Sequence, residues 1–241
     1  ADPASVDKLK DGESIKVDKS GSLGANASAG GKGEAVSVGV SGGYEVGHSS
    51  TMEVSKEDGK LTYNAKEGDT DKLSGGVNVG VGPAVSGGFG ASHTNITSTG
   101  YKIVVAPGDA HAKEMEAALA KCQSQKALDD FARQYPTAVQ EKTKETGTVD
   151  GQDANISVLG VKGGLSYSQS LDEQVTTDGA GNFKNKTVTG ANSGGVELGV
   201  GNYKIGASSK DQAVAQVDAQ GNAAVDVSTS TTDTNAAKWL G

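Results

Sequence analysis

Residues Glu34–Ser55 read EAVSVGVSGGYEVGHSSTMEVS. Even positions carry Val36, Val38, Val40, Tyr44, Val46, Met52 and Val54, whereas odd positions carry mostly Gly, Ser and Glu. Apolar and small polar residues alternating with period two predict a half-buried β-strand. At about 3.3 Å per residue, an unbroken strand of this length would reach ~70 Å, so Gly42-Gly43 is expected to bend or bulge it. Lys56-Glu57-Asp58-Gly59-Lys60 follows, and Asp-Gly between alternating segments predicts a hairpin turn. Leu61–Lys66 is the return strand. Gly68–Lys72 reads as a polar loop leading into a second alternating run, with Leu73, Val77, Val79, Val81, Val85 and Phe89 on its apolar face. Pro83 cannot donate to a ladder, which predicts an edge or a bulge there.

One phrase of that run occurs twice. Ser74–Gly82 is SGGVNVGVG and Ser193–Gly201 is SGGVELGVG, identical at seven of nine positions, 119 residues apart. Gly42-Gly43 is echoed by Gly163-Gly164, and Gly90-Ala91-Ser92 by Gly206-Ala207-Ser208. The shared order predicts a tandem duplication, with a bulge at the alternation switch of Val158-Leu159 and turns at Asp178–Asn182 and Asp218–Asn222. Between the halves, Met115, Leu119 and Cys122, then Leu128, Phe131 and Tyr135, recur at helical spacing. They predict one bent helix or two short ones lying on a sheet, with Asp109 or Ser124 as cap and Pro136 as terminator.

The expected fold is therefore α+β and β-dominated: two homologous antiparallel β units, sandwich or barrel-like with long amphipathic strands, around a central helical insert. The expected segments are 1–33 (an N-terminal piece), 34–106 (first β unit), 107–147 (helical insert and linker), 148–232 (second β unit) and 233–241 (tail). The opening Ala1-Asp2-Pro3 reads as the remnant of a secretion expression vector.

Composition narrows the function classes. The chain has 241 residues, 36 glycines, only ten aromatic residues and a net charge of −8. Glycine thus stands where other proteins place core side chains. No cluster of Lys and Arg provides a phosphate-binding patch, so nucleic acid is not an expected partner. Cys122 is the only cysteine, which excludes an intrachain disulfide and a cysteine-based zinc site. No apolar run has the ~20 residues of a transmembrane helix. Four Asn-x-Ser/Thr sites, at Asn26, Asn95, Asn155 and Asn185, are near the chance number for so Ser/Thr-rich a chain.

Catalytic signals are sparse. His48 and His93 fall on the apolar faces of two strands and could face each other, but no third metal ligand is placed by spacing. Gly-Val-Gly at Gly80–Gly82 lies inside a strand pattern rather than before a helix, unlike a phosphate loop. The Asp-rich turns lack the ligand spacing of a calcium loop and read as turn chemistry. The expectation is no enzyme, no cofactor and no metal. What stands out is a valine face: Val36, Val38, Val40, Tyr44, Val46, Val77, Val79, Val81, Val85 and Phe89 face either lipid or the core of a second sheet. Membrane strands need about 9–11 alternating residues, which these runs supply, although aromatic girdles are scarce. The mean hydropathy of −0.41 fits a water-soluble form.

The text LKDGESIKV…GEAVSVGVSGGYEVG…DGK…GGVNVGVG, followed by a helical stretch and a repeat, resembles the Gly/Val/Ser-rich β regions of large secreted bacterial polymorphic toxins. The resemblance carries no site residues. It implies a secreted or cell-surface bacterial setting and a membrane-directed role, pore-forming-like or in translocation, with a membrane or a protein as partner and oligomers if a pore forms. A structural or adhesive interaction module is the alternative.

Overall fold

The computed structural model describes residues 3–33, 35–122, 124–200 and 203–236. Ala1 and Asp2 of the vector reading, Glu34, Gly201 and residues 237–241 of the tail lie outside it. Strands β1 (Ser14–Lys32), β2 (Val36–Glu57), β3 (Lys60–Val81) and β4 (Val85–Val105) are followed by helices α2 (Ala112–Lys121) and α3 (Gln125–Gln134). Strands β5 (Val139–Val158), β6 (Val161–Asp178), β7 (Phe183–Val200), β8 (Tyr203–Asp218) and β9 (Ala223–Ala236) complete the chain, and a single turn, α1 (Pro3–Val6), precedes β1.

The strands pair in chain order, each antiparallel to the next, in one nine-stranded sheet. The β-dominated reading holds, but the sandwich or barrel does not. The sheet is open, with β1 and β9 at its edges. Nor are there two units around an insert: β4 pairs with β5 from Val85↔Val158 to Ile103↔Val139, so the helices are an excursion from a continuous sheet.

The repeated phrases do end equivalent strands, with Val81 closing β3 and Val200 closing β7. Their neighbours, however, are not in equivalent positions. Gly42 lies opposite Gly75, while the residue opposite the matching Gly194 is Tyr167, not Gly163. Phe89 lies opposite Val77, and Ala207 occupies the matching place opposite Val196. A clear duplication would keep these registers.

Local turn chemistry explains the remaining differences. Asp58 and Gly59 both take positive φ, 49° and 74°, as the two-residue turn with right-handed twist demands. Leu159 and Gly160 repeat it at 50° and 85°, so Val158-Leu159 is a hairpin tip rather than a bulge. Pro83 sits in the β3–β4 turn, where no ladder donor is needed. Gly42-Gly43 pair without a register break on either side. Gly68–Lys72 are strand, because their neighbours Glu45–Ser49 and Thr94–Ser98 pair them on both edges.

The core occupies one end of the sheet. Val54, Tyr63, Ala65, Tyr101, Ile103 and Val105 meet Met115, Leu119, Leu128 and Phe131 of the helices, and Cys122 packs against this cluster as a small apolar residue. Ser124 caps α3 by accepting from the Ala127 amide at 3.2 Å, while the Asp109 carboxylate accepts from His111 N at the start of α2. The helices cover the same sheet face that carries the valines.

The opposite, Gly/Ser/Asn face is the crowded one. A Cβ placed on Gly43 would lie 2.1 Å from Asn26 Oδ1, and one on Gly88 would lie 2.3 Å from Asn78 Oδ1. On the valine face, a Cβ at Gly21 or Gly31 would meet nothing within 4 Å. Side chains of neighbouring strands thus converge on the polar face, making it the concave one. A cavity of about 550 Å³ lies against it, lined by Asn26, Ser41, Ser74, Asn78, Asp153 and Asn155 among others.

Candidate functional site

Three zones follow one another along the valine face. At the base lies the helix-covered core. At the far end, beside the hairpin tips, lies an uncovered apolar band. Between them runs a stripe of titratable residues.

The ladder registers assemble the band row by row. Val36 pairs with Val81, Val38 with Val79, Val40 with Val77 and Tyr44 with Leu73. Val81 pairs with Val85 and Val77 with Phe89. Because the side-chain period is two, this pairing brings all ten sequence-predicted residues (Val36, Val38, Val40, Tyr44, Val46, Val77, Val79, Val81, Val85 and Phe89) to one face. None belongs to the buried core, and each is more than a third exposed, from 36% at Val46 to 53% at Val40.

The second half extends the band with Ile156, Val158, Val161, Leu165, Val196, Leu198 and Val200, exposed by 37% to 58%. The signal for these was present in the second phrase, SGGVELGVG, but the unrecognised Leu159-Gly160 turn hid their register. The band reaches Ile205 and Ala207 on β8 and stops at β9, where Thr229, Thr231 and Asp233 take the corresponding positions. Isolated exposed valines are ordinary, but a contiguous patch across seven strands is not.

The dimensions are specific. Val36–Val46 spans about 33 Å along the strand. That exceeds the ~25 Å apolar belt of membrane β-barrels, so the run is long enough to cross one. Tyr44 stands at the lower margin and its hydroxyl donates to Asp71 Oδ1 at 3.0 Å, so its ring edges the band while its polar tip reaches the stripe. The concave side of the same strands presents Ser37, Gly39, Ser41, Asn78 and Gly80.

In the stripe, His48 Nδ1 lies 2.8 Å from Asp69 Oδ1 and Nε2 lies 3.0 Å from Glu67 Oε2. Glu67 is buried, and its Oε1 accepts from the Ser50 hydroxyl at 2.6 Å. The Asp69 hydrogen bond holds the His48 imidazolium, raising its pKa against the opposing pull of desolvation. His93 contacts Asp150 at 2.6 Å and Asn95 at 3.1 Å. The two histidines do not meet: each pairs with its own carboxylate, with β3 between them. Among the described residues, no group of three His, Cys, Asp or Glu is placed to hold a metal ion.

Another cluster lies on the concave face. Glu145 Oε2 accepts from Lys66 Nζ at 2.5 Å and from the Ser98 hydroxyl at 2.8 Å. Burial and the neighbouring Glu145 raise the pKa of Asp172. The Asp-rich turns are turn chemistry: Asp178 accepts from the Ala180 and Asn182 amides at 2.9 and 2.8 Å, and Asp218 does the same for Gln220 and Asn222. Among the described residues, no helix is long and apolar enough to cross a membrane.

No family model matches the chain, and no curated protein matches it. Among solved structures, the unliganded ferric citrate transporter FecA overlaps 90% of this chain and 40% of its own, at 12% identity and a TM-score of 0.40. The siderophore receptor PiuA from Acinetobacter baumannii gives 92%, 45%, 8% and 0.33. The ferric preacinetobactin receptor BauA from the same organism gives 91%, 43%, 7% and 0.30. This chain therefore spans less than half the length of each. TM-scores this low show no common architecture, and the band stands on the geometry of this chain alone.

Proposed function

We propose that this chain is a non-enzymatic, membrane-directed β module whose apolar band enters a bilayer, with the concave Gly/Ser/Asn face toward water. One observation carries the reading: an uncovered apolar band long enough to cross a bilayer's hydrocarbon belt backs directly onto a small polar face of the same strands. A surface of that kind costs free energy in water and loses that cost in lipid. The stripe and helix-covered base remain outside the bilayer in this arrangement. The resemblance to polymorphic-toxin β regions supports a secreted or cell-surface bacterial setting, with pore formation or translocation as the role.

Dye-loaded vesicles of phosphatidylcholine and phosphatidylglycerol test it. Leakage at micromolar protein, abolished by Val38→Pro or Val79→Pro, is the expected result. Intact vesicles at both neutral and acid pH would overturn it, and saturable binding to a protein partner without leakage would favour the adhesive alternative.

A further inference from the structure

The open sheet has two unpaired edges among the described residues, and an open edge cannot sit in lipid with its backbone groups unsatisfied. We infer that the partner at these edges is a second copy of this chain, with β9 of one copy pairing in parallel with β1 of the next to build a closed ring. This rests on the membrane reading above and specifies its assembly.

Four features point to a seam between unlike edges. The first is direction. In a meander of nine antiparallel strands the first and last run the same way, so head-to-tail pairing keeps every band, tip and helical base at the same height. Two-fold pairing of β1 with β1 would instead place the bands at opposite ends.

The second is charge. β1 carries Lys16, Lys19 and Lys32 against Asp18, a net +2, while β9 carries Asp226 and Asp233, a net −2. The opposite net charges favour encounter of unlike over like edges at long range. The third is an unprotected central stretch. Neither ladder shows a register break, neither strand contains proline, and Ser20–Gly31 bears no charge over twelve residues. Monomeric sheets blunt such edges. The fourth is curvature. A heterologous contact makes a filament unless its rotation closes, and a sheet curled with its polar face inward supplies that rotation.

Following the ladders across the sheet places Ser28 of β1 and Thr232 of β9 in the same row, both on the concave face. Within one copy they are separated by eight strand spacings, roughly 38 Å along the sheet. The test uses the full 241-residue chain with Cys122→Ala, carrying Ser28→Cys and Thr232→Cys together or singly, oxidised on the vesicles described above. Because closing a barrel staggers the strands across the seam, further double variants on the concave face, Ser28→Cys with Ser230→Cys, Asp226→Cys or Asn222→Cys and Thr232→Cys with Ser22→Cys or Asp18→Cys, cover staggers of up to ten residues in either direction.

The expected result is a reducible ladder of dimers and higher multimers from a double variant and none from either single variant. A dimer from Ser28→Cys alone would overturn the seam by showing like edges paired. A fast-migrating oxidised monomer would overturn it by showing self-closure. Leakage with no ladder from any pair would overturn the seam and leave the membrane reading standing, whereas a ladder without leakage would support the seam and overturn that reading.

Discussion

Val79→Lys separates a lipid-facing valine from a structural one. Val79 sits mid-band opposite Val38, is 42% exposed, and touches no part of the buried core. In water, a lysine there extends from an already exposed position, and such surface changes fall within about 0.5 kcal/mol. In a bilayer the same change places a cation near the midplane of the belt, at a cost of about 2–4 kcal/mol. This is ~30- to 1000-fold in insertion, from RT of about 0.59 kcal/mol. Asn78→Lys, one residue away on the concave face, faces water in both states and serves as the control. The assay pairs dye release from vesicles with a thermal melt in buffer. Val79→Lys is expected to cut release by at least tenfold and leave the melt unchanged, with Asn78→Lys near wild type in both. Equal release from the two variants would refute the argument, as would a melt lowered by several degrees for Val79→Lys alone.

Further outcomes follow from the rest of the fold. Ile103 is fully buried beneath the helices, so Ile103→Ala is expected to cost about 2–5 kcal/mol, seen as a midpoint shift in urea unfolding. A Cβ on Gly179 would lie 1.9 Å from the Val139 carbonyl oxygen, whereas the matching turn position at the open end already holds Ala219; Gly179→Ala should therefore lower the melting temperature through a clash of roughly 1–3 kcal/mol. His48 has its pKa raised by Asp69, so that pair contributes stability below the ordinary histidine value near 6.5 and loses it as pH rises through the higher folded value. The urea midpoint should fall across that window, and His48→Gln should flatten the fall. Asp178 is shifted the other way by its bonds to Asn182, so its turn is expected to hold above pH ~4 and loosen as pH falls through the lowered value, read as hydrogen-exchange protection of the Ala180 and Asn182 amides.

Much of this was legible in the chain because period two is unambiguous over long runs. Val36–Val54 is one strand face, Asp58-Gly59 is a turn, and Met115, Leu119, Leu128 and Phe131 are the helix faces in the core. The failures run in two directions: pairing overrides turn composition at one site, and a tight turn interrupts a strand pattern at the other. Gly68-Asp69-Thr70-Asp71 has loop composition, yet it is held extended between two long neighbours. Val158-Leu159-Gly160-Val161 has the composition of a strand, yet reverses, because alternation cannot distinguish a bulge from a two-residue turn. That turn adds a strand and shifts every later register, which is why the echoed glycines do not coincide in the sheet. The ten valine-face residues were identified from alternation, but whether another sheet covered them was not readable, since covering is a tertiary property.

In the proposed orientation one face of each tip strand meets lipid and the other meets water. Single cysteines at Val77, Asn78, Val79, Gly80 and Val81, in the Cys122→Ala background and labelled with an environment-sensitive fluorophore, read that face directly when vesicles are added. Period-two behaviour is expected: blue-shifted, brightened emission at 77, 79 and 81, and aqueous emission at 78 and 80. Uniform emission along the strand, or a blue shift confined to 78 and 80, would contradict it.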